Sequence, residues 1–404
     1  MIHDTTLENQ LQKIAEAIRG HHGKENEIGV LTGLSGMALF CFYYAKYLDD
    51  DSLSDIGVKI ISDCIEKINR GYSYPTYCSG IAGFGWAVQH LTKERFLSLD
   101  SDDLLGQFDE YLYAQMKFDL VKGNFDYLHG AIGYGLYFLS RYRYSENTDL
   151  RLRYRSYLIE LIKTIEKLSI SNGETLKWGS TLDGKKGSRG FNLSLSHGIS
   201  SILNFAARLY EFDVFKESTR KIIIGSANYI FDLEDKHSEN LSLFPRWVET
   251  DAPLKYNSRL AWCYGDLGIG LSLLHAANSL VDGSMRNHAL KILNHTTKRK
   301  LHDDTLVIDA GVCHGSYGNA QIYQKLWQNT KHESFKESIN FWIADGIQKA
   351  IYEDGYAGYK QWEGFVGSWT PQLSLLEGVA GIGLVIIDYL SEEPNSWDEC
   401  LMIS

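Results

Sequence analysis

Seven glycine-marked segments, each leading into an apolar run, recur along this chain of 404 residues. They begin at Gly33, Gly80, Gly130, Gly198, Gly265, Gly315 and Gly378, at intervals of 47 to 68 residues. Six read GxxG, and the fourth, Gly198-Ile199-Ser200-Ser201, ends in serine. Several carry a further glycine, at Gly85, Gly135, Gly270 and Gly383. A repeat of this length suits a helix pair or a propeller blade. Periodicity separates the two. Leu53 to Arg70, Leu150 to Leu168, Phe215 to Phe231 and Phe335 to Tyr352 place apolar residues three and four apart over more than ten positions, which predicts amphipathic helices. The runs after the glycines, such as Ile132 to Ser140 and Ile269 to Ala277, are apolar nearly all round, which predicts buried helices. Each repeat is then one buried and one amphipathic helix, and stacked pairs make an open solenoid or a closed ring. In a ring of inner and outer helices, glycine lets the inner helices and their lead-in loops approach closely.

Length alone suggests two or three domains. However, 37 glycines stand beside only 5 prolines, and no Ser/Gly-rich tract offers a linker. The repeats therefore merge residues 1–404 into one all-helical domain. A hydrophobic share of 44% with 23% charged residues excludes collagen and global disorder. The net charge of -11 gives no general footprint for nucleic acid or an anionic membrane. Met1 to Glu8 carries acids where a signal peptide needs basic residues, and no apolar stretch is long enough to span a bilayer. A cytoplasmic location is expected. No GxxxxGK[ST] occurs, so the glycines are not a phosphate loop.

The chemistry-bearing residues stand immediately before the glycines. Cys263 and Cys313 lie two before Gly265 and Gly315. His314, His197 and His129 lie one before Gly315, Gly198 and Gly130; Glu377 precedes Gly378, and Asp126 lies four before Gly130. Equivalent repeats put all of them at one end of the buried helices. Two cysteines and a histidine are donors that zinc prefers, and three protein ligands leave a catalytic position open. The same set also reads as two buried thiols and a hydrogen-bonded histidine. Cys78, two before Gly80, is a repeat echo or a spare ligand, and Cys41, Cys64 and Cys400 share no such register. His197 has the register of an acid/base group. Asp126 could orient a histidine, move protons or cap a helix. Arg259 could hold an oxyanion or pair with Asp266.

Ser258-Arg259-Leu260-Ala261-Trp262-Cys263-Tyr264-Gly265 together with Cys313-His314-Gly315 closely resembles the LanC-like lanthionine cyclases. Ser196-His197-Gly198, Asp126 ahead of Gly130, and the GxxG repeats extend the resemblance over nearly the full chain. It implies an α/α-toroid of seven inner and seven outer helices. It also implies zinc on Cys263, Cys313 and His314, with His197, Asp126, Arg259 and Tyr264 at the other active-site positions. The implied reaction adds a peptide cysteine thiol to dehydroalanine or dehydrobutyrine in the same precursor peptide, giving a lanthionine or methyllanthionine ring. The implied partners are the dehydrated precursor (leader plus core), a separate dehydratase and a transporter. The best-known relatives carry a β-rich insertion for which there is no room here. Its nearest counterpart is Ser169 to Asn192, a glycine-rich loop with Lys185, Lys186 and Arg189. Three competing readings remain at this level. One is a LanC-like enzyme adding glutathione or another thiol to dehydrated residues. The second is an α/α-toroid glycosidase using Asp126, Asp266 or Glu377. The third is a scaffold with structural zinc.

Overall fold

The computed structural model describes residues 4–183, 187–236, 240–250, 252–364 and 366–404. Its helices in chain order are α1 (Asp4–His21), α2 (Leu34–Leu48), α3 (Ser54–Asn69), α4 (Ile81–Lys93), α5 (Ser101–Val121), α6 (Ala131–Tyr144), α7 (Thr148–Leu168) and α8 (Ile199–Tyr210). They continue as α9 (Asp213–Asp232), α10 (Asp266–Leu280), α11 (Gly283–Thr296), the short α12 (His302–Thr305), α13 (Ser316–Thr330), α14 (Glu333–Gln348) and α15 (Val379–Leu390). Seven of them, α2, α4, α6, α8, α10, α13 and α15, each start one residue after a repeat glycine. These are the apolar runs: Leu34 to Ala45 of α2 and Val379 to Asp388 of α15 are buried at every position. The helices between them bury one stripe. In α7 the stripe is Tyr154, Tyr157, Leu158, Leu161, Ile162 and Ile165, the expected spacing of three and four.

The two helix types begin differently. Among the amphipathic helices, α7 and α11 have side-chain caps: Asn147 accepts from the N–H groups of Asp149 and Leu150, and Asp282 from those of Ser284 and Met285. The buried helices use their own lead-in loop. The first helical N–H donates to a carbonyl seven residues back, as in Leu34 to Glu27 (3.0 Å), Ile81 to Tyr74 (2.9 Å) and Val379 to Gln372 (3.1 Å). Donors that a helix N-terminus leaves unpaired are thus satisfied without polar side chains. The loop returns so tightly that a side chain at Gly80 or Gly198 would overlap the carbonyl of the residue six positions earlier. The same holds at the second glycine, where Gly83, Gly318 and Gly381 face the carbonyls of Tyr77, Val312 and Leu375. Glycine is expected both where inner helices crowd and where their lead-in loops approach. The structure divides those roles. The GxxG glycines let the loop close on itself, and the further glycines serve helix contact. Gly135 faces Leu161 and Phe205, and Gly383 faces Phe40 and Ile14. An added methyl there overpacks the core, at a cost of about 1–3 kcal/mol.

The chain divides into two compact units, residues 1–112, 144–146 and 307–404, and residues 113–143 and 147–306. In the first, α2 lies between α4 and α15, and α15 also meets α13; α3 covers α2, α14 covers α13, and the N-terminal α1 covers α15. In the second, α8 and α10 are neighbours covered by α9 and α11. Within each unit the lead-in loops are stitched together at the position two before the glycine. Leu31 donates to the Cys78 carbonyl (3.1 Å), Leu376 to Leu31 (2.8 Å) and Cys313 to Leu376 (2.8 Å). In the second unit Leu195 and Ser196 both donate to the Cys263 carbonyl. This common register delivers the chemistry-bearing residues.

Short strands complete the structure: β1 (Ile170–Ser171), β2 (Leu176–Lys177), β3 (Ser180–Asp183), β4 (Ser188–Asn192), β5 (Trp247–Glu249), β6 (Gln361–Glu363) and β7 (Ser368–Thr370). All pairings are antiparallel, β1 with β2, β4 between β3 and β5, and β6 with β7. The described residues of Ser169 to Asn192 therefore pair as β1–β2 and β3–β4, and are not the plain loop expected. Alternation over such short strands is too weak a sequence signal. Arg189 is exposed on β4, and Lys185 and Lys186 lie outside the described residues. The helix expected to reach Tyr352 stops at Gln348. There the backbone tightens, with the Lys349 and Ala350 N–H groups donating three residues back to the Gly346 and Ile347 carbonyls.

Candidate active site

Asn192, the last residue of β4, opens the loop that leads into α8. Its Oδ1 accepts the Ser194 N–H (2.9 Å), and Ser194 Oγ accepts the His197 N–H (3.0 Å), so the loop fixes the His197 backbone. His197 Nδ1 bonds Asp126 Oδ2 at 2.6 Å. The other Asp126 oxygen accepts the N–H groups of Leu128 (2.7 Å) and His129 (2.8 Å). Asp126 thus caps its own turn and orients the histidine. The ring proton shared with Asp126 sits on Nδ1, which leaves Nε2 facing away as the working nitrogen. Burial of the His197 ring pulls its pKa down, but the charge and hydrogen bond of Asp126, helped by Cys263, outweigh this and raise it. Burial pushes the Asp126 carboxyl up, and His197 and His129 pull it below the ordinary value. His129 is exposed, with its ring centroid 6.3 Å from that of His197.

Tyr264 stands 6.1 Å from His197, centroid to centroid, and its hydroxyl accepts from Asn192 Nδ2 (3.2 Å). Burial raises its pKa, so it remains a proton-bearing phenol. Arg259 is half-buried, and its guanidinium makes no hydrogen bond or ion pair with a described residue. Its suggested partner Asp266 is taken: fully buried at the start of α10, it pairs with Arg299 (3.4 Å) and accepts the N–H groups of Leu243 and Phe244. Arg299 also donates to the Ser258 carbonyl (2.6 Å), so this pair anchors the 258–265 loop. Gly265 ends that loop at φ 95°, a conformation that strains any other residue.

Cys313 and His314 occupy the equivalent loop before α13. His314 Nε2 lies 3.2 Å from Asp309 Oδ2, which also accepts the Trp362 N–H (3.1 Å) from β6. Asp309 therefore leaves Nδ1 of His314 as the donor nitrogen. Carboxylate-held imidazoles are common behind metal ligands, where they fix the ring and raise its basicity. The possible ligand atoms of Cys263, Cys313 and His314 all lie within 4.8 Å of one another, and no other such group occurs among the described residues. Two thiols, one oriented imidazole and no fourth protein donor match a zinc site with an open position. Cys41 and Cys64 are different, since burial pushes both thiols up to about 12 and leaves them inert. Cys78 is buried, with Thr32 Oγ1 3.6 Å from its sulfur. Glu377 is half-buried and borders a small groove with Gly311, Tyr359 and Lys360.

Sequence reasoning missed Asp309 and Asn192. Both stand six before a repeat glycine, where the lead-in loop begins, so the register could have found them.

A family model described as lanthionine synthetase C-like protein matches residues 24–402. The nisin biosynthesis protein NisC of Lactococcus lactis subsp. lactis is 24% identical over 421 residues, covering 95% of this chain and 92% of that protein. The solved structure of nisin cyclase superposes with a TM-score of 0.73 at 20% identity, covering 98% of this chain and 97% of the other. The likeness shows the fold, and the α/α-toroid that the family resemblance implies is borne out. No helix among the described residues is long and apolar enough to cross a membrane.

Proposed function

This chain belongs to the lanthionine synthetase C-like family, and we propose that it closes lanthionine and methyllanthionine rings in a dehydrated precursor peptide. The observation that carries the reading is the convergence of Cys263, Cys313 and His314, with Asp309 behind the histidine. These three would hold zinc, which when bound lowers the pKa of a peptide thiol from about 8.5 and so supplies a thiolate at neutral pH. The thiolate attacks the β-carbon of dehydroalanine or dehydrobutyrine, forms the C–S bond, and leaves an enolate at the α-carbon. His197, held protonated by Asp126, donates its Nε2 proton to that carbon. Arg259, which has no internal counter-charge among the described residues, faces the developing oxyanion, and Tyr264 donates from its hydroxyl. The thiol proton lost and the carbon proton gained balance, so the peptide keeps its mass. The reaction consumes dehydro residues, so a dehydratase acting on Ser and Thr must precede it.

The glycosidase reading loses two of its three carboxylates, and Glu377 alone does not supply the two that the reaction needs. Asp266 is buried in its pair with Arg299, and Asp126 is committed to His197. Thiol counting by alkylation tests the proposal. The protein should consume the free thiols of a dehydrated peptide without changing its mass, and the His197→Ala variant should do so far more slowly. Persistence of every thiol with the intact protein contradicts the reading.

A further inference from the structure

Beyond Tyr264 lies a surface that ring closure as described does not use. The Trp247 ring meets Tyr264 edge-on at 6.3 Å, and the Arg246 guanidinium lies 3.6 Å from the centre of the Trp247 ring. Trp247 begins β5 and sits opposite Asn192 in the β4–β5 register, the residue that donates to Tyr264. β5 pairs with β4 on one side and ends the β3–β4–β5 order, so its outer edge has no partner strand among the described residues.

The two cations on this wall have no direct counter-ion among the described residues. Neither Arg246 nor Arg259 makes a side-chain hydrogen bond or an ion pair with a described residue. Partial burial lowers the Arg246 pKa, and the Arg259 charge lowers it further, against opposing contributions from Tyr264 and Glu249. Two mutually repelling guanidiniums in a protein of net charge -11 form a local field that selects an anion. Trp247 holds one of them flat, ready for a two-pronged bond to a carboxylate.

We propose that Arg246, stacked on Trp247, binds an acidic side chain of the precursor peptide close to the reacting residues, with the peptide extended along the outer edge of β5. Strand addition supplies affinity through the backbone, and the cationic wall supplies selectivity. This rests on the cyclase reading, and it makes Arg246 a specificity residue that touches no reacting atom.

The test uses two dehydrated peptides that differ only by Glu or Gln beside the reacting cysteine. Binding is measured by calorimetry and ring closure by thiol alkylation, for the intact protein and for Arg246→Ala and Arg246→Lys. The intact protein should prefer the Glu peptide by about three- to thirty-fold, in Kd and KM and not in kcat, as expected for a part-exposed charged hydrogen bond. Arg246→Ala should bind both peptides equally while keeping its melting temperature and kcat, and Arg246→Lys should restore part of the preference. Equal binding of the two peptides by the intact protein, or an undiminished preference in Arg246→Ala, overturns the proposal. Ring closure failing in both peptides overturns the cyclase reading instead, while calorimetry still decides the role of Arg246.

Discussion

Replacing Asp126 by Asn tests whether the carboxylate sets the proton affinity of His197. The variant keeps an oxygen for the Leu128 and His129 N–H groups, so the turn should survive. What it loses is one negative charge, 2.6 Å from Nδ1. Unit charges about 4 Å apart interact by about 4 kcal/mol at an effective dielectric of about 20. The two side chains are 31% and 20% exposed, so water screens part of this. A value of about 1.5–3 kcal/mol, the range for hydrogen bonds to charged groups, is appropriate. The His197 pKa should therefore fall in the variant. His197 must be protonated to deliver its proton, so the rate declines as pH rises through its pKa. In Asp126→Asn that decline should begin at lower pH, with about a 10- to 100-fold loss on the alkaline side. The assay is the rate of thiol loss from a dehydrated peptide between about pH 5.5 and pH 9, read against zinc content. An alkaline limb that stays in place, or moves up, refutes the assigned role. The pair should affect stability with the same sign. Because the folded pKa of His197 is raised, its contribution is complete below the unfolded value of about 6.5 and is lost as pH rises through the folded value. The melting-temperature gap between the intact protein and the variant should therefore be wider at about pH 6 than at about pH 9.

Three further outcomes follow from the same geometry. Asp309→Asn removes the charge behind His314 and should weaken zinc binding by about 10- to 100-fold in competition with a chelator; unchanged affinity would show that Asp309 does not tune the ligand. Gly265→Ala should cost about 1–3 kcal/mol in denaturant unfolding, since its φ of 95° is strained for alanine and the Arg259 carbonyl lies in the way. Gly283→Ala, in open space at the start of α11, should be neutral or stabilising, and equal losses at the two sites would contradict the steric argument. Arg299→Ala leaves Asp266 buried and uncompensated, which should cost about 3–5 kcal/mol and loosen the 258–265 loop; a variant as stable as the parent would remove that pair as an anchor.

The repeat was legible because its cause is local. Each lead-in loop folds back on its own carbonyls, a steric demand that favours glycine at both positions, so the motif recurs where helix sequences diverge, with Ser201 the one departure. The register of Cys263, Cys313, His314 and His197 was legible for the same reason, because it is counted from those glycines. Partners set by tertiary contact were less visible. Asp309 and Asn192 look like ordinary loop residues until the lead-in loops are folded. Arg299, which takes Asp266 away from Arg259, lies 33 positions downstream of it. The strand pairings within residues 170–192 were hidden because strands of two to five residues carry too little alternation to register.

The central claim is that Cys263, Cys313 and His314 form an open metal site that accepts the sulfur of a peptide. Zinc-edge X-ray absorption of the purified protein, before and after a dehydrated cysteine-containing peptide is added, tests it most directly. The account predicts one zinc per chain with two sulfur ligands at about 2.3 Å, and a third sulfur once peptide is bound. Protein without zinc, or a sulfur count that stays at two while rings form, would contradict it.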